Sequence, residues 1–268
     1  MRILFCGDVM GRSGRDGLMR HLPALKKRFA PEVTIVNAEN AAGGHGVTLK
    51  IAQELLALGI DCLTTGNHVW NQKELLSSIA LLPNLLRPLN FPANTSGKGS
   101  FLHVLPDGRK LLIANIMGQR GIEPILDDPF ATADKLLAMN RLSPALQGIF
   151  IDFHAEVTSE KVAMGAHLDG RVSAVVGTHT HIPTADARVL PAGTAFQTDT
   201  GMCGDFNSVI GMKKELALWR FIQKTPGERL SPAEGEATIC GLFVETNDKT
   251  GLAVKAESFQ TGGVLAPR

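Results

Sequence analysis

The sequence has little that would direct the chain to a nucleic acid, a membrane or an oxidising compartment. Its charges nearly cancel, with 27 basic against 26 acidic residues and a net charge of +1. No long run of either sign breaks that balance, so polynucleotide binding is not supported by charge, and neither is an anionic membrane surface. The four cysteines, Cys6, Cys62, Cys203 and Cys240, are scattered with no C-x-x-C pair. That spacing argues against a zinc knuckle or a disulfide framework and fits reduced thiols in a cytoplasmic protein. No stretch of about 18 apolar residues is present to span a bilayer. Met1-Arg2 leads straight into Ile3-Leu4-Phe5-Cys6-Gly7, without the pattern of a signal peptide. Internal repeats, low-complexity segments and a clear linker are missing too.

What the chain does have is 268 residues, 44% of them apolar. This suffices for a large core, and a single α/β domain over residues 1–268 is expected. Ile3-Leu4-Phe5-Cys6 reads as a buried strand ending at Gly7-Asp8, followed by a glycine-containing loop and a helix over 15–29, with Leu18, Leu22, Leu25 and Phe29 on one face. Val33-Thr34-Ile35-Val36 is a second strand, stopping at Asn37-Ala38-Glu39-Asn40. A helix over 51–58 precedes a third run that ends in Gly66-Asn67-His68, where the glycine is expected to turn the backbone sharply. Asn71 is expected to cap a helix over 73–82. Two strands about Asp107-Gly108 read as a hairpin. A helix over 131–142, a strand delivering His154, a helix over 156–167 and a strand running into Gly177-Thr178-His179-Thr180-His181 follow. The remainder is β-rich apart from a helix near 213–222, with a hairpin turn over 246–251. Alternation first and antiparallel strands later suggest stacked sheets with helices outside.

Asp8, Glu39, Asn40, Asn67, His68, His154, His179 and His181 all follow short apolar runs at expected strand ends. Ligand sites of open α/β sheets assemble at carboxyl ends of strands, so these eight can converge. Taken singly each has an ordinary reading: an Asp after a strand is commonly a turn or helix cap, and a lone His a hydrogen-bonded core residue. The two-residue spacing of His179 and His181, read as strand alternation, points both rings to one side. Imidazole, carboxylate and amide oxygen together suit Mn, Fe, Zn or Ni. Eight groups exceed what one open catalytic ion needs, and a shared carboxylate can bridge two ions ~3.5 to 4 Å apart. A two-metal site is inferred.

In order and spacing, Gly7-Asp8, Gly66-Asn67-His68, His154 and Gly177-Thr178-His179-Thr180-His181 resemble the calcineurin-like metallophosphoesterase superfamily. Met10 stands where that superfamily has its first histidine, and Asn37-Ala38-Glu39-Asn40 replaces its second aspartate motif. Both departures are similar to its YmdB-like branch. So are the N-terminal Gly-Asp-Val-Met-Gly-Arg, the Asn-Ala-Glu-Asn-Ala-Ala-Gly-Gly segment and Asp199-Thr200-Gly201-Met202-Cys203-Gly204. The resemblance implies a four-layer α-β-β-α sandwich of mixed sheets and a di-iron or di-manganese phosphodiesterase acting on a small phosphodiester, notably 2',3'-cyclic nucleotides. It implies that Asp8, Glu39, Asn40 and His181 hold one ion. Glu39 would bridge to a second held by Asn67, His154 and His179, and His68 would be the proton donor. The expected mechanism is attack of a metal-bound hydroxide on phosphorus with His68 protonating the leaving oxygen. Alternatives are a phosphomonoesterase of the same fold, or a regulatory or scaffold protein whose metal site is mainly structural. Whether the chain forms a homo-oligomer is left open.

Of the remaining candidates, Gly43-Gly44-His45-Gly46 could reach a substrate phosphate with backbone N–H groups, or be a flexible connection with His45 in water. Arg120 is a weak candidate for a phosphate contact. Cys203 has no paired base, so it is read as packing.

Overall fold

The computed structural model describes residues 1–225 and 227–268. The first half contains β1 (Arg2–Cys6), β2 (Asp8–Val9), α1 (Gly11–Phe29), β3 (Val33–Asn37), α2 (Leu49–Leu56), β4 (Cys62–Thr64), α3 (Leu75–Ser78), β5 (Ser100–Val104), β6 (Lys110–Met117) and α4 (Pro129–Met139). The second contains β7 (Gly148–His154), α5 (Thr158–Leu168), β8 (Ala174–Thr178), β9 (Arg188–Val189), β10 (Ala195–Gln197), β11 (Met202–Gly204), α6 (Lys214–Gln223), β12 (Thr238–Thr246) and β13 (Ala253–Thr261).

These strands form two mixed sheets. One has the order β2-β11-β12-β1-β3-β4, with β13 also paired to β12; the other runs β5-β6-β7-β8-β10-β9. β1, β3 and β4 are parallel, as are β6, β7, β8 and β10. The expected hairpins β5–β6 and β12–β13 are antiparallel.

Side-chain alternation explains the layering. Ile3 and Phe5 of β1 face a core between the sheets, with Ile113, Phe150 and Val176 from the other sheet. Leu4 and Cys6 face the opposite way, onto Leu18, Leu22 and Leu25 of α1. On β7, Phe150 joins the middle layer while Ile149, Ile151 and Phe153 pack outward against Leu136 of α4 and Met164 of α5. Burying each such side chain contributes about 1.5–3 kcal/mol. The Phe5 and Phe150 rings, with centroids 5.4 Å apart, couple the sheets directly. The stack is therefore α-β-β-α, as the resemblance implies.

Three local expectations fail for identifiable reasons. Helix α1 begins at Gly11, not near residue 15, because Gly14 is a contact point and not a loop residue. A Cβ on Gly14 would lie 2.2 Å from the Cys203 carbonyl oxygen, and one on Gly17 2.6 Å from Ala237 Cβ. Pro23 lies inside this helix on its exposed face, where its missing N–H removes one backbone hydrogen bond. The helix expected over 73–82 is only one turn of α-helix followed by a 3-10 turn, Ile79–Leu81. Ser77 and Ser78 both donate their hydroxyls back to the Glu74 carbonyl, a competitor to regular helix. Asn71, the expected cap of that helix, is instead beside the His68 ring. No helix among the described residues is long and apolar enough to cross a membrane.

Candidate metal centre

The carboxyl ends of β3, β4, β7 and β8 open onto one place between the two sheets. Glu39 and Asn40 follow β3, Asn67 and His68 follow β4, His154 is the last residue of β7, and His179 and His181 follow β8. Asp8 arrives from β2, paired alongside β11. All eight residues expected from the sequence thus lie around a cleft of about 310 Å³ or in the floor beneath it, though not all by the expected local geometry.

His154 forms the centre of one half. Its Nε2 lies 3.0 Å from each of Glu39 Oε1, Asn67 Oδ1 and His179 Nδ1. One ring nitrogen can donate to only one of three such atoms, so their convergence has the form of a ligand shell more than of a hydrogen-bond network. Glu39, His154 and His179 each offer an atom within 4.8 Å of the others, a group able to hold a metal ion. Glu39 also reaches the other half: Asn40 Nδ2 is 3.3 Å from Glu39 Oε1 and 3.0 Å from His181 Nε2. Asp8 Oδ1 and Asn40 Oδ1 are buried with no hydrogen-bond partner among the described residues. Two orphaned oxygens beside a three-atom convergence fit a cation and would be costly without one.

The electrostatics point the same way. Burial would lower the His154 ring, but the Glu39 carboxylate overrides it and raises His154 to about 9. Burial would raise Glu39, yet the same ring holds it below its ordinary value. Burial, reinforced by Glu39, Asp199 and Asp152, pushes Asp8 well up. Burial and the neighbouring His154 lower His179 to about 3, and burial lowers His181. Positive charge is favoured at the Glu39–His154 junction, where a bound cation would take the place of the proton on His154 Nε2, and protonation is disfavoured on the flanking rings.

The supporting bonds fix which nitrogen each ring presents. His181 Nδ1 donates to the Ile210 carbonyl at 2.8 Å, leaving Nε2 facing Asn40. His154 Nδ1 stands 2.9 Å from Thr178 Oγ1, which donates to Asp152 Oδ1 at 2.7 Å. The other oxygen of Asp152 accepts from Asn37 at 3.0 Å and from the Thr64 hydroxyl. Asn37 and Thr64 belong to one sheet and Asp152 to the other, so this buried carboxylate ties the sheets together under the centre. Sequence reasoning missed Asp152, Thr178, Ile210 and Glu156, whose Oε2 is 3.1 Å from His179 Nε2. A signal for Asp152 was present: a charged residue inside the apolar run 149–153 needs a buried partner.

Two finer expectations, on the alternation of His179 and His181 and on the turn at Gly66, are corrected. His179 and His181 do not continue the β8 alternation; both lie beyond the strand with positive φ, 101° and 67°. Gly66 has no left-handed φ, and its role is close approach: a Cβ there would lie 2.2 Å from His154 Nε2 and 2.3 Å from Glu39 Oε2. In the 43–46 loop the N–H groups of Gly44 and His45 already donate to Asn40 and Ala42 carbonyls. The loop instead lays His45 face to face with His68, ring centroids 4.9 Å apart. Arg120 gives its backbone N–H to Glu160. Met10 packs with Met202 and Met212, making an apolar wall where the superfamily's first histidine would stand. Cys203 is fully buried, and burial pushes its thiol far up, in keeping with packing.

A family model described as "YmdB-like protein" matches residues 4–259. The chain is 48% identical over 257 residues to the 2',3'-cyclic-nucleotide 2'-phosphodiesterase of Bacillus subtilis, covering 96% of each. Among solved structures, a hypothetical protein from Thermus thermophilus superimposes with a TM-score of 0.90 at 38% identity, over 98% of this chain and 100% of that one. A crystal structure described as a novel phosphatase from Mycoplasma pneumoniae also gives 0.90, at 34% identity, over 98% and 93%.

Proposed function

The chain belongs to the YmdB-like family, and from that premise we propose that it is a metal-dependent phosphodiesterase acting on 2',3'-cyclic nucleotides. The observation that carries the reading is the convergence of Glu39, Asn67 and His179 on His154 Nε2, each at 3.0 Å. Asp8, Glu39, Asn40 and His181 would hold one ion, and Glu39, Asn67, His154 and His179 a second. The donors are oxygen and imidazole nitrogen with no thiolate. With Met10 in place of the superfamily's first histidine and Asn40 in the shell, the first ion's donors are richer in oxygen, which supports Fe or Mn over Zn. Bound there, such ions supply charge stabilisation for the phosphoryl oxygens and lower the pKa of water.

The chain's own residues do the rest. His68 delivers a proton to the departing ribose oxygen, because an alkoxide is a poor leaving group. The Asn71 side-chain amide, 3.3 Å from His68 Nδ1, fixes the rotation of the ring. His45, stacked on the other ring, limits the orientations of His68. Ile210, Met212 and Leu230 give the cleft an apolar wall suited to a nucleobase. The similarity to the Bacillus subtilis enzyme supports the diester, and the name of the Mycoplasma pneumoniae structure supports a phosphomonoesterase as the second reading.

The test is a comparison of 2',3'-cyclic AMP, bis-p-nitrophenyl phosphate and p-nitrophenyl phosphate. Chelator-stripped protein would be reloaded with Mn²⁺ or, without oxygen, with Fe²⁺. Faster turnover of the two diesters supports the proposal, and preference for the monoester overturns it. Metal analysis of the same samples distinguishes two ions per chain from one.

A further inference from the structure

Asp199 is 1% exposed and so is Lys161, and neither has a part in the chemistry described above. Lys161 Nζ donates to Asp199 Oδ2 at 2.6 Å. The same oxygen accepts from the Thr180 backbone N–H at 3.1 Å and the Thr180 hydroxyl at 2.7 Å, while Oδ1 accepts from the Gly201 N–H at 2.8 Å. Thr180 is the residue between His179 and His181, whose left-handed backbones are conformations that L side chains rarely adopt. Such a pair of residues persists only where the surroundings over-determine it.

The stretch after β10 supplies that over-determination. The Thr200 N–H donates to the Gly177 carbonyl before the turn, and the Met202 N–H to the His181 carbonyl after it. A Cβ on Gly177 would lie 1.7 Å from the Thr198 carbonyl oxygen, so the two segments are in backbone contact. Asp199 is the only one of these contacts that grips Thr180 itself.

We propose that Asp199, charge-balanced by Lys161, is a positioning residue of the metal centre: it holds Thr180 so that His179 and His181 aim their rings into the cleft. This rests on the reading that those histidines are ligands. A carboxylate is required because all four bonds come from donors. The amide of an asparagine would turn its NH₂ on the three donors at one oxygen or on Gly201 at the other. The buried charge in turn requires a cation, which α5 provides as Lys161.

The experiment measures Mn²⁺ binding to chelator-stripped full-length protein by calorimetry at 25 °C, for the parent, Asp199→Asn and Thr180→Val. Thermal unfolding of the stripped proteins and turnover of bis-p-nitrophenyl phosphate are followed alongside. Asp199→Asn should weaken Mn²⁺ binding by about 10- to 100-fold, with turnover partly restored by excess Mn²⁺. Thr180→Val, which removes one bond of the set and conserves volume, should shift affinity the same way by less. Where Asp199→Asn fails to fold, Thr180→Val decides. Parental affinity and stoichiometry in the folded variants, whatever happens to their melting temperatures, would overturn the proposal, as would a parent that binds no Mn²⁺. A parent that binds Mn²⁺ yet hydrolyses no phosphoester overturns the functional reading alone, because the affinities still report on the clamp.

Discussion

Gly66 backs onto His154 so closely that a methyl group in place of its hydrogen would lie 2.2 Å from both Cδ2 and Nε2 of the ring. The ring cannot retreat, because Thr178 holds its far nitrogen at 2.9 Å. Gly66→Ala should therefore displace the donor at the centre of the site. A destabilisation of about 1–3 kcal/mol or more is expected from the overlap, together with loss of bound metal from the His154 half. Elemental analysis and thermal unfolding of the variant check both. Parental metal content would show that the ring has room to move.

His68 occupies the position next to Asn67 but makes a different set of contacts, with Asn71 on its ring and Glu39 accepting its backbone N–H at 3.3 Å. A group that moves a proton without holding metal should lower kcat when removed and leave the ions in place. His68→Ala is expected to cut kcat by roughly 10²- to 10⁴-fold with metal content largely intact. Steady-state kinetics and elemental analysis on one preparation give the answer. Loss of metal along with the side chain would make His68 a ligand.

At the opposite ends of the strands, Arg109 bonds Glu32, Asp107 and Asp248, and the Met1 ammonium adds a 2.7 Å contact to Asp248. The ammonium holds Asp248 below its ordinary carboxyl value; burial would raise Glu32, but the Arg109 bond keeps it low as well. Carboxyls depressed by folding stabilise the protein fully above their unfolded values and lose that contribution as pH falls through the folded ones. Asp248→Asn should thus cost no more than about 1 kcal/mol at pH 7, a loss of about 2–4 °C in Tm. The gap from the parent should close as the solution is acidified below the ordinary carboxyl range. Metal affinity should not change, since the substitution is remote from the cleft. A gap that widens in acid would contradict the assignment.

The sequence carried the strand ends well because parallel strands buried on both faces read as apolar runs, and the polar residues within a few positions of each run's end are the ones delivered to the site. Asp8, Glu39, Asn67 and His154 were legible for that reason. What was not legible depends on contacts between segments far apart in the chain. The two-residue strand β2 and the short β11 are defined by pairing alone. Gly11 and Gly14 of α1 look like a loop until the strand that Gly14 touches is known. The left-handed turn at His179 and His181 is held by Asp199, about 20 residues further on, and local propensity says nothing of it.

The last relationship concerns how His154 is made to present Nε2. Thr178 lies between the ring and Asp152, accepting from Nδ1–H at 2.9 Å and donating to Oδ1 at 2.7 Å. The carboxylate fixes the direction of the hydroxyl, and the hydroxyl fixes the tautomer. Thr178→Val keeps the shape of the side chain but leaves Nδ1–H without a partner and takes one donor from Asp152. An unpartnered buried N–H costs about 1–3 kcal/mol. The ring can avoid that cost by shifting its proton to Nε2, where it competes directly with a metal. Thr178→Val should therefore bind Mn²⁺ about 10- to 100-fold more weakly, whereas Thr178→Ser, which keeps the hydroxyl, should bind close to the parent. Calorimetric titration of the three proteins decides the matter: equal affinity in Thr178→Val and the parent would mean that the tautomer is set by the metal and not by Asp152 through Thr178.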